Sequence, residues 1–397
     1  MNRPPPRDIR TIPERFRPTR GASIAPFYAM EVLKAANRRQ AAGHDVLHLE
    51  LGEPGGQAPP KAVAAAAAAL AKPSARFGYT EALGAPSLRA RIAQHYRDTY
   101  DVSVDPARIA VTTGSSAGFL LGFLAAFGDG ARIGVSEPGY PAYRNIIASL
   151  GMVPVAIPAG GDTRYQLTPA LIDRALPLDG LIIASPANPT GTMLRADEIA
   201  AIARWCFTHR VRLVSDEVYH GISFGTRAAT ALGPAPDAIV VNSFSKYYAM
   251  TGWRVGWMVV PDDLVGAVDR LSQNLYISAP TISQIAAEAA FGDTEFLNAK
   301  VQGYARTRDQ LLELLPKAGF DKLAPADGAF YILAEVGALT DDSTAFCARM
   351  LEETGVATTP GIDFDPVRGK QFLRFAIAGP NDQMVEAARR LIAWRKK

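Results

Sequence analysis

The chain has 397 residues, 48% of them hydrophobic, with 34 glycines and 29 prolines, a globular composition that excludes disordered and fibrous classes. Its 42 basic and 39 acidic residues leave a net charge of +3, which gives no reason to invoke nucleic acid. The two cysteines, Cys206 and Cys347, exclude a disulfide framework, and the longest apolar tract, Ala62 to Ala71, is too short to cross a membrane.

In chain order, Met1 to Arg20 carries six arginines and five prolines but no hydrophobic segment. It reads as a flexible arm rather than a secretory signal, and a cytoplasmic location is expected. Pro26 is expected to open a helix that Gly43 ends. Val46 to Leu51 alternates as a half-buried strand does and runs into Gly52-Glu53-Pro54. An alanine-rich helix starts at Pro60, and a longer one runs from about Pro86 to Tyr100. From Ile109 the rhythm becomes strand, loop, helix. Short apolar strands are expected at 109–113, 132–135, 153–157, 180–184, 211–215, 238–242 and 255–260. Helices such as 115–127, 195–209 and 262–274 separate them, and both cysteines fall in helical patterns, where they read as buried small hydrophobes. That alternation predicts an α/β fold whose mostly parallel seven-stranded sheet lies between helices, with its chemistry at the carboxyl ends of the strands. From about Thr294 a long helix, strands at 330–334 and 372–377 and helices at 343–354 and 380–395 predict a smaller α+β domain. The expected division is 1–58 as arm and part of the small domain, 59–293 as the large domain and 294–397 as the small one.

The segment Ser243-Phe-Ser-Lys246, with Arg254 eight residues on, lies in a loop between two buried strands. A lysine beside an arginine in such a place needs an anionic or covalent partner, and a phosphorylated aldehyde supplies both. Other loops at strand ends carry polar residues too. Gly114-Ser115-Ser116 starts a helix, where free N–H groups suit a phosphate, although serine capping explains the same pattern. Tyr140 sits between glycine and proline, poised to stack on a ring or simply to form a turn. Asn188 lies in an Asn-Pro-Thr-Gly turn, and Asp216 ends a buried strand where a carboxylate needs a partner. Arg374 is the one arginine in the apolar run Phe372 to Ile377, where it grips a carboxylate or forms an inter-domain ion pair.

Taken together, in this order and over residues 23 to 378, these motifs resemble the fold-type I pyridoxal phosphate (PLP) aminotransferases of class I/II, the aspartate aminotransferase family. The resemblance implies that Lys246 carries PLP as a Schiff base and moves the substrate's α-proton. It assigns the phosphate to Gly114, Ser115, Ser116, Ser243, Ser245 and Arg254. Serines stand at 115 and 116 where the family often has glycine and lysine. Tyr140 covers the ring, Asp216 holds its nitrogen, and Asn188 and Tyr219 reach its ring oxygen. Arg374, with the Gly52 backbone amide and Asn188, takes the substrate carboxylate, while the segment from Ile24 to Tyr28 closes over it. Tyr79 reaches the phosphate of a neighbouring subunit, which implies a homodimer with shared sites.

The implied reaction is ping-pong transfer of an amino group from an L-amino acid to a 2-oxo acid. A PLP-dependent lyase or synthase, or a non-catalytic PLP-binding protein, is the alternative. No metal is expected. Neither Ser115 to Phe127 nor the Gln273-Asn274 stretch supplies a second cation, so donors with uncharged side chains are expected. Arg15, Arg17 and Arg20 of the arm are the other candidate source of that charge.

Overall fold

The computed structural model describes residues 24–74 and 76–396, so the arm with Arg15, Arg17 and Arg20 lies outside the described residues. The strands are β1 (Leu47–Leu49), β2 (Ile109–Thr112), β3 (Arg132–Glu137), β4 (Val153–Pro158), β5 (Gly180–Ala184) and β6 (Arg212–Asp216). They continue as β7 (Ile239–Ser243), β8 (Gly256–Val259), β9 (Lys322–Leu323), β10 (Tyr331–Glu335), β11 (Val356–Pro360) and β12 (Phe372–Ala376). A seven-stranded sheet has the order β2-β8-β7-β6-β5-β3-β4, and a five-stranded sheet has the order β1-β11-β12-β10-β9. The fold is α/β, and its larger sheet is parallel except for β8, which runs antiparallel to β2 and β7.

Both faces of the larger sheet are buried. Leu181 and Ile183 of β5 join one apolar cluster while Ile182 joins the other, as the alternation of side chains along a strand requires. β1 adds to the smaller sheet by pairing parallel to β11, so the N-terminal stretch packs with the C-terminal one. The sequence reading did not anticipate β11. All five of its residues are buried and its last is a proline, so it shows neither alternation nor a pure β-former run.

The first five helices are α1 (Tyr28–Ala41), α2 (Pro60–Leu70), α3 (Pro86–Tyr100), α4 (Ser115–Ala126) and α5 (Pro141–Ser149), of which α1, α4 and α5 reach the site. Proline occupies the first turn of α2, α3 and α5, where its missing N–H costs nothing. α1 departs from expectation: it starts at Tyr28 rather than Pro26, with Phe27 in the capping position.

The antiparallel β8 shapes the active edge of the sheet. Its first residue, Gly256, is in register with Thr112 on one side and Ser243 on the other. A Cβ there would stand 2.9 Å from both the Ser115 nitrogen and the Asn242 carbonyl oxygen. Only glycine lets β8 enter between its neighbours at this point. Gly256→Ala should therefore cost about 1–3 kcal/mol of stability through overpacking. A urea unfolding midpoint equal to that of the wild type would show that the edge opens freely.

Candidate active site

The parallel strands all end on one side of the sheet, the position at which this class of fold gathers ligands. β2 leads to Gly114 and Ser115, β3 to Tyr140, β5 to Asn188, β6 ends on Asp216, and β7 leads to Ser243, Ser245 and Lys246. Because β8 runs the other way, the residues before it arrive at the same edge and bring Arg254 against Gly114.

Gly114 has φ +76°, and a Cβ in its place would run into the Arg254 guanidinium. Its backbone and the N-terminus of α4 thus lie open beneath a cation, a cradle suited to a phosphate. Ser115 lines the central cavity, Ser116 is exposed, and Ser243 and Ser245 are buried. The Ser243 hydroxyl accepts the Ser245 N–H at 3.0 Å, which tightens the turn just before the lysine. Arg254 is exposed rather than buried. It occupies the left-handed turn before β8, donates to the Thr251 carbonyl at 3.0 Å, and keeps one side of its charge in water.

Lys246 donates to the Gly52 carbonyl oxygen at 2.7 Å. Gly52 was expected to offer its amide to a carboxylate; it is its carbonyl that is engaged, and by the lysine. Burial pushes the amine down to about 8, helped first by the Arg374 charge and less by Arg254. Asp216 lies opposite, its carboxylate accepting from the Tyr143 hydroxyl and from the Val218 N–H at 2.9 Å. Burial lifts it to about 6 against the pull of those two donors and of Lys246. Such a carboxylate gains most from a cationic partner, and a protonated ring nitrogen is one.

Arg374 is buried between the rings of Tyr331 and Phe364, at 4.5 and 4.8 Å. One terminal nitrogen donates to Asn188 Oδ1 at 2.9 Å, and the other to the Glu50 carbonyl and the Thr359 hydroxyl. Its Nε is buried with no partner. A guanidinium with an unused donor beside a cavity is a receptor for a carboxylate. Asn188 is thus committed to Arg374 through its oxygen, leaving its amide hydrogens for a ligand. Tyr219, expected to reach a ring oxygen, shares a hydrogen bond with Tyr331 at 2.7 Å. Tyr140 lines the cavity with its phenol held neutral, pushed up to about 12 by burial.

The enclosed space is about 730 Å³ including its mouth. Gly52, Ser115, Tyr140, Asn188, Asp216, Tyr219, Lys246 and Arg374 all line it, together with Phe27 and Tyr331. Of the other expected residues, Gly114, Ser116, Ser243, Ser245 and Arg254 stand beyond this lining at the phosphate end, and two more lie elsewhere. Ile24 is exposed and its neighbour Phe27 forms the wall instead, while Tyr79 is 79% exposed and outside the lining. The sequence reading missed Tyr143 and Tyr331, while Phe27 belongs to the segment from Ile24 to Tyr28 that it expected over the substrate. Tyr143 was within reach of sequence reasoning, since it lies three residues after Tyr140 at the start of a helix and so shares its face.

PLP fits this donor set: a phosphate cradle under Arg254, a buried acid for the ring nitrogen and a depressed lysine, with Arg374 left for a substrate carboxylate. When bound, it supplies an electron sink for a carbanion at the substrate α-carbon. In the apo-protein, acylation of Lys246 should rise with pH to half its limit near 8, because the neutral amine is the reactive form. Peptide-resolved labelling that rises only near pH 10, as for an ordinary lysine at about 10.4, would contradict the buried-amine account.

Comparison with known proteins agrees with this geometry. The model of the family "Aminotransferase class I and II" matches residues 44–392. A valine–pyruvate aminotransferase of Mycobacterium tuberculosis is 48% identical over 378 residues, covering 94% of this chain and 97% of the relative. The crystal structure of an aminotransferase from the same organism superposes with a TM-score of 0.93 at 48% identity, over 96% of this chain and 99% of that one. Aspartate aminotransferase from Thermus thermophilus with maleate superposes with a TM-score of 0.88 at 30% identity, over 94% and 98%. These relatives are transaminases, and the lyase or synthase alternative is not favoured. The chain belongs to the class I and II aminotransferases, PLP-dependent enzymes of fold type I that transfer an amino group to a 2-oxo acid.

Proposed function

We propose that the preferred amino donor is an L-amino acid with an uncharged side chain, and that a small neutral 2-oxo acid such as pyruvate is a suitable acceptor. The observation that carries this reading is the cavity lining, in which, among the described residues, Arg374 is the one guanidinium. Once Arg374 takes the α-carboxylate and Lys246 the cofactor, the described residues of the lining, Phe27, Leu51, Tyr140 and Tyr331 among them, supply no further cation for a second carboxylate. The name of the Mycobacterium tuberculosis relative, a valine–pyruvate aminotransferase, supports the same choice.

In this reading each side chain has one task. Lys246 carries the proton between the substrate α-carbon and the cofactor, for which an amine near 8 is better matched to neutral pH than an ordinary lysine. Asp216 keeps the ring nitrogen protonated, with Tyr143 and Val218 fixing the carboxylate's orientation. Tyr140 packs against the ring face, the Asn188 amide and Tyr219 serve the ring oxygen, and Gly114, Ser115, Ser116, Ser243, Ser245 and Arg254 serve the phosphate.

With pyruvate as acceptor, kcat/KM for valine should exceed that for aspartate by at least about two orders of magnitude, since a buried unpaired carboxylate costs several kcal/mol. Aspartate as the best donor would overturn the neutral-pocket reading and direct attention to Arg15, Arg17 and Arg20.

The active enzyme is further proposed to be a homodimer with shared sites. The large exposure of Tyr79, outside the cavity of its own chain, supports this. Provided Tyr79→Ala is itself impaired, mixing Lys246→Ala and Tyr79→Ala subunits should restore activity, because one site in the mixed dimer holds both residues intact. Proven subunit exchange without recovery would assign Tyr79 to its own chain or to no site.

A further inference from the structure

Helix α1 begins without a cap of its own. Phe27 occupies the capping position and makes no side-chain hydrogen bond to the first turn. The missing acceptor comes from the far end of the sequence. One oxygen of Asp363 accepts the Tyr28 N–H at 3.2 Å, and the other accepts the Ala29 N–H at 3.1 Å.

Asp363 is fully buried in the turn Gly361–Asp363 that follows β11. Its carbonyl accepts from Arg144 of α5, and its neighbour Phe364 lies under the Arg374 guanidinium. A single residue therefore joins α1, α5 and the arginine-bearing sheet. What it holds in place is Phe27, which lines the cavity and stands edge-on to Tyr140, with ring centroids 6.1 Å apart. Burial raises the Asp363 carboxyl above its ordinary value, while the two backbone N–H groups and the Arg374 and Arg144 charges favour its ionised form.

We propose that Asp363 is the residue that sets donor specificity: it caps α1 so that Phe27 forms a fixed wall for the donor side chain, and its negative charge disfavours a donor whose side chain is a carboxylate. The inference rests on the neutral-donor reading above. The charge of Asp363 is felt at both Tyr140 and Arg374, two groups that line the cavity.

The test is kcat/KM for alanine, valine, phenylalanine and aspartate, with pyruvate as acceptor, in the wild type and in Asp363→Ala, Asp363→Asn, Phe27→Ala and the Asp363→Ala/Phe27→Ala pair. Asp363→Ala should lose about tenfold or more for valine and phenylalanine, mainly through KM, and far less for alanine, whose methyl group does not reach the wall. Asparagine is also a good cap but carries no charge. Asp363→Asn should therefore regain most of the valine activity lost in Asp363→Ala while raising the rate with aspartate. Phe27→Ala should reproduce the Asp363→Ala pattern, and the double variant should be no worse than either single one.

Hydrogen exchange should accelerate at both the Tyr28 and Ala29 amides in Asp363→Ala but at only one of them in Asp363→Asn, whose amide has a single acceptor oxygen, whatever the activity. Equal losses for all donors, or losses that multiply in the double variant, would refute Asp363 as a specificity residue acting through Phe27. A wild-type enzyme that prefers aspartate would overturn the neutral-donor reading itself, a result distinct from either of those.

Discussion

The larger sheet is covered on both faces, so charged side chains meet low-dielectric surroundings only where its strands end. Asp216 and Lys246 stand at the ends of adjacent parallel strands, and burial moves both towards their neutral forms, to about 6 and about 8. Burial thus leaves the acid in want of a cationic partner and the amine close to its neutral, basic form. The smaller sheet completes the arrangement. It contributes Arg374 from β12, and the turn after β1 contributes the Gly52 carbonyl that holds the lysine. The chemistry exists only where the two sheets meet.

A second set of buried polar groups stiffens this edge from behind. Glu217, next to Asp216, is pushed up to about 7 by burial and accepts from the Ser215 and Thr230 hydroxyls and the Ala231 N–H. His220 bonds the Ser185 carbonyl at 3.0 Å and Tyr100 at 2.8 Å, and burial holds its ring neutral. Ser185 begins the loop that carries Asn188. The turn after β6 and the loop after β5 are thus fastened to each other, which fixes the separation of Asp216 and Asn188.

Much of this was legible in the sequence, for a physical reason. Lys246, Asp216, Asn188 and Arg374 are polar residues at the ends or in the middle of apolar runs, where a partner is obligatory, and each lies at the cavity. The seven strands of the larger sheet announce themselves as short apolar runs because both faces are buried. What stayed hidden depends on long-range geometry. β11 carries no alternation, since all its residues are buried, and it is recognisable only beside β1 and β12. Arg254 was expected beside the lysine in a loop between buried strands, and the turn before β8 puts it at the surface. Phe27 rather than Ile24 faces the cavity because the start of α1 is set by Asp363, which no local pattern reveals.

The pairing of β1 with β11 bears on how the molecule is made. Leu47 to Leu49 align with Val356 to Thr358, so the first strand waits for a partner synthesised some three hundred residues later. β2 to β8 form the larger sheet from one contiguous stretch, residues 109–259, and can assemble while the remainder of the chain is still being translated. Until β11 emerges, Leu47 and Leu49, both buried in the finished protein, have no sheet to join. During that interval the short β1 stretch lacks the partner that buries it in the finished protein.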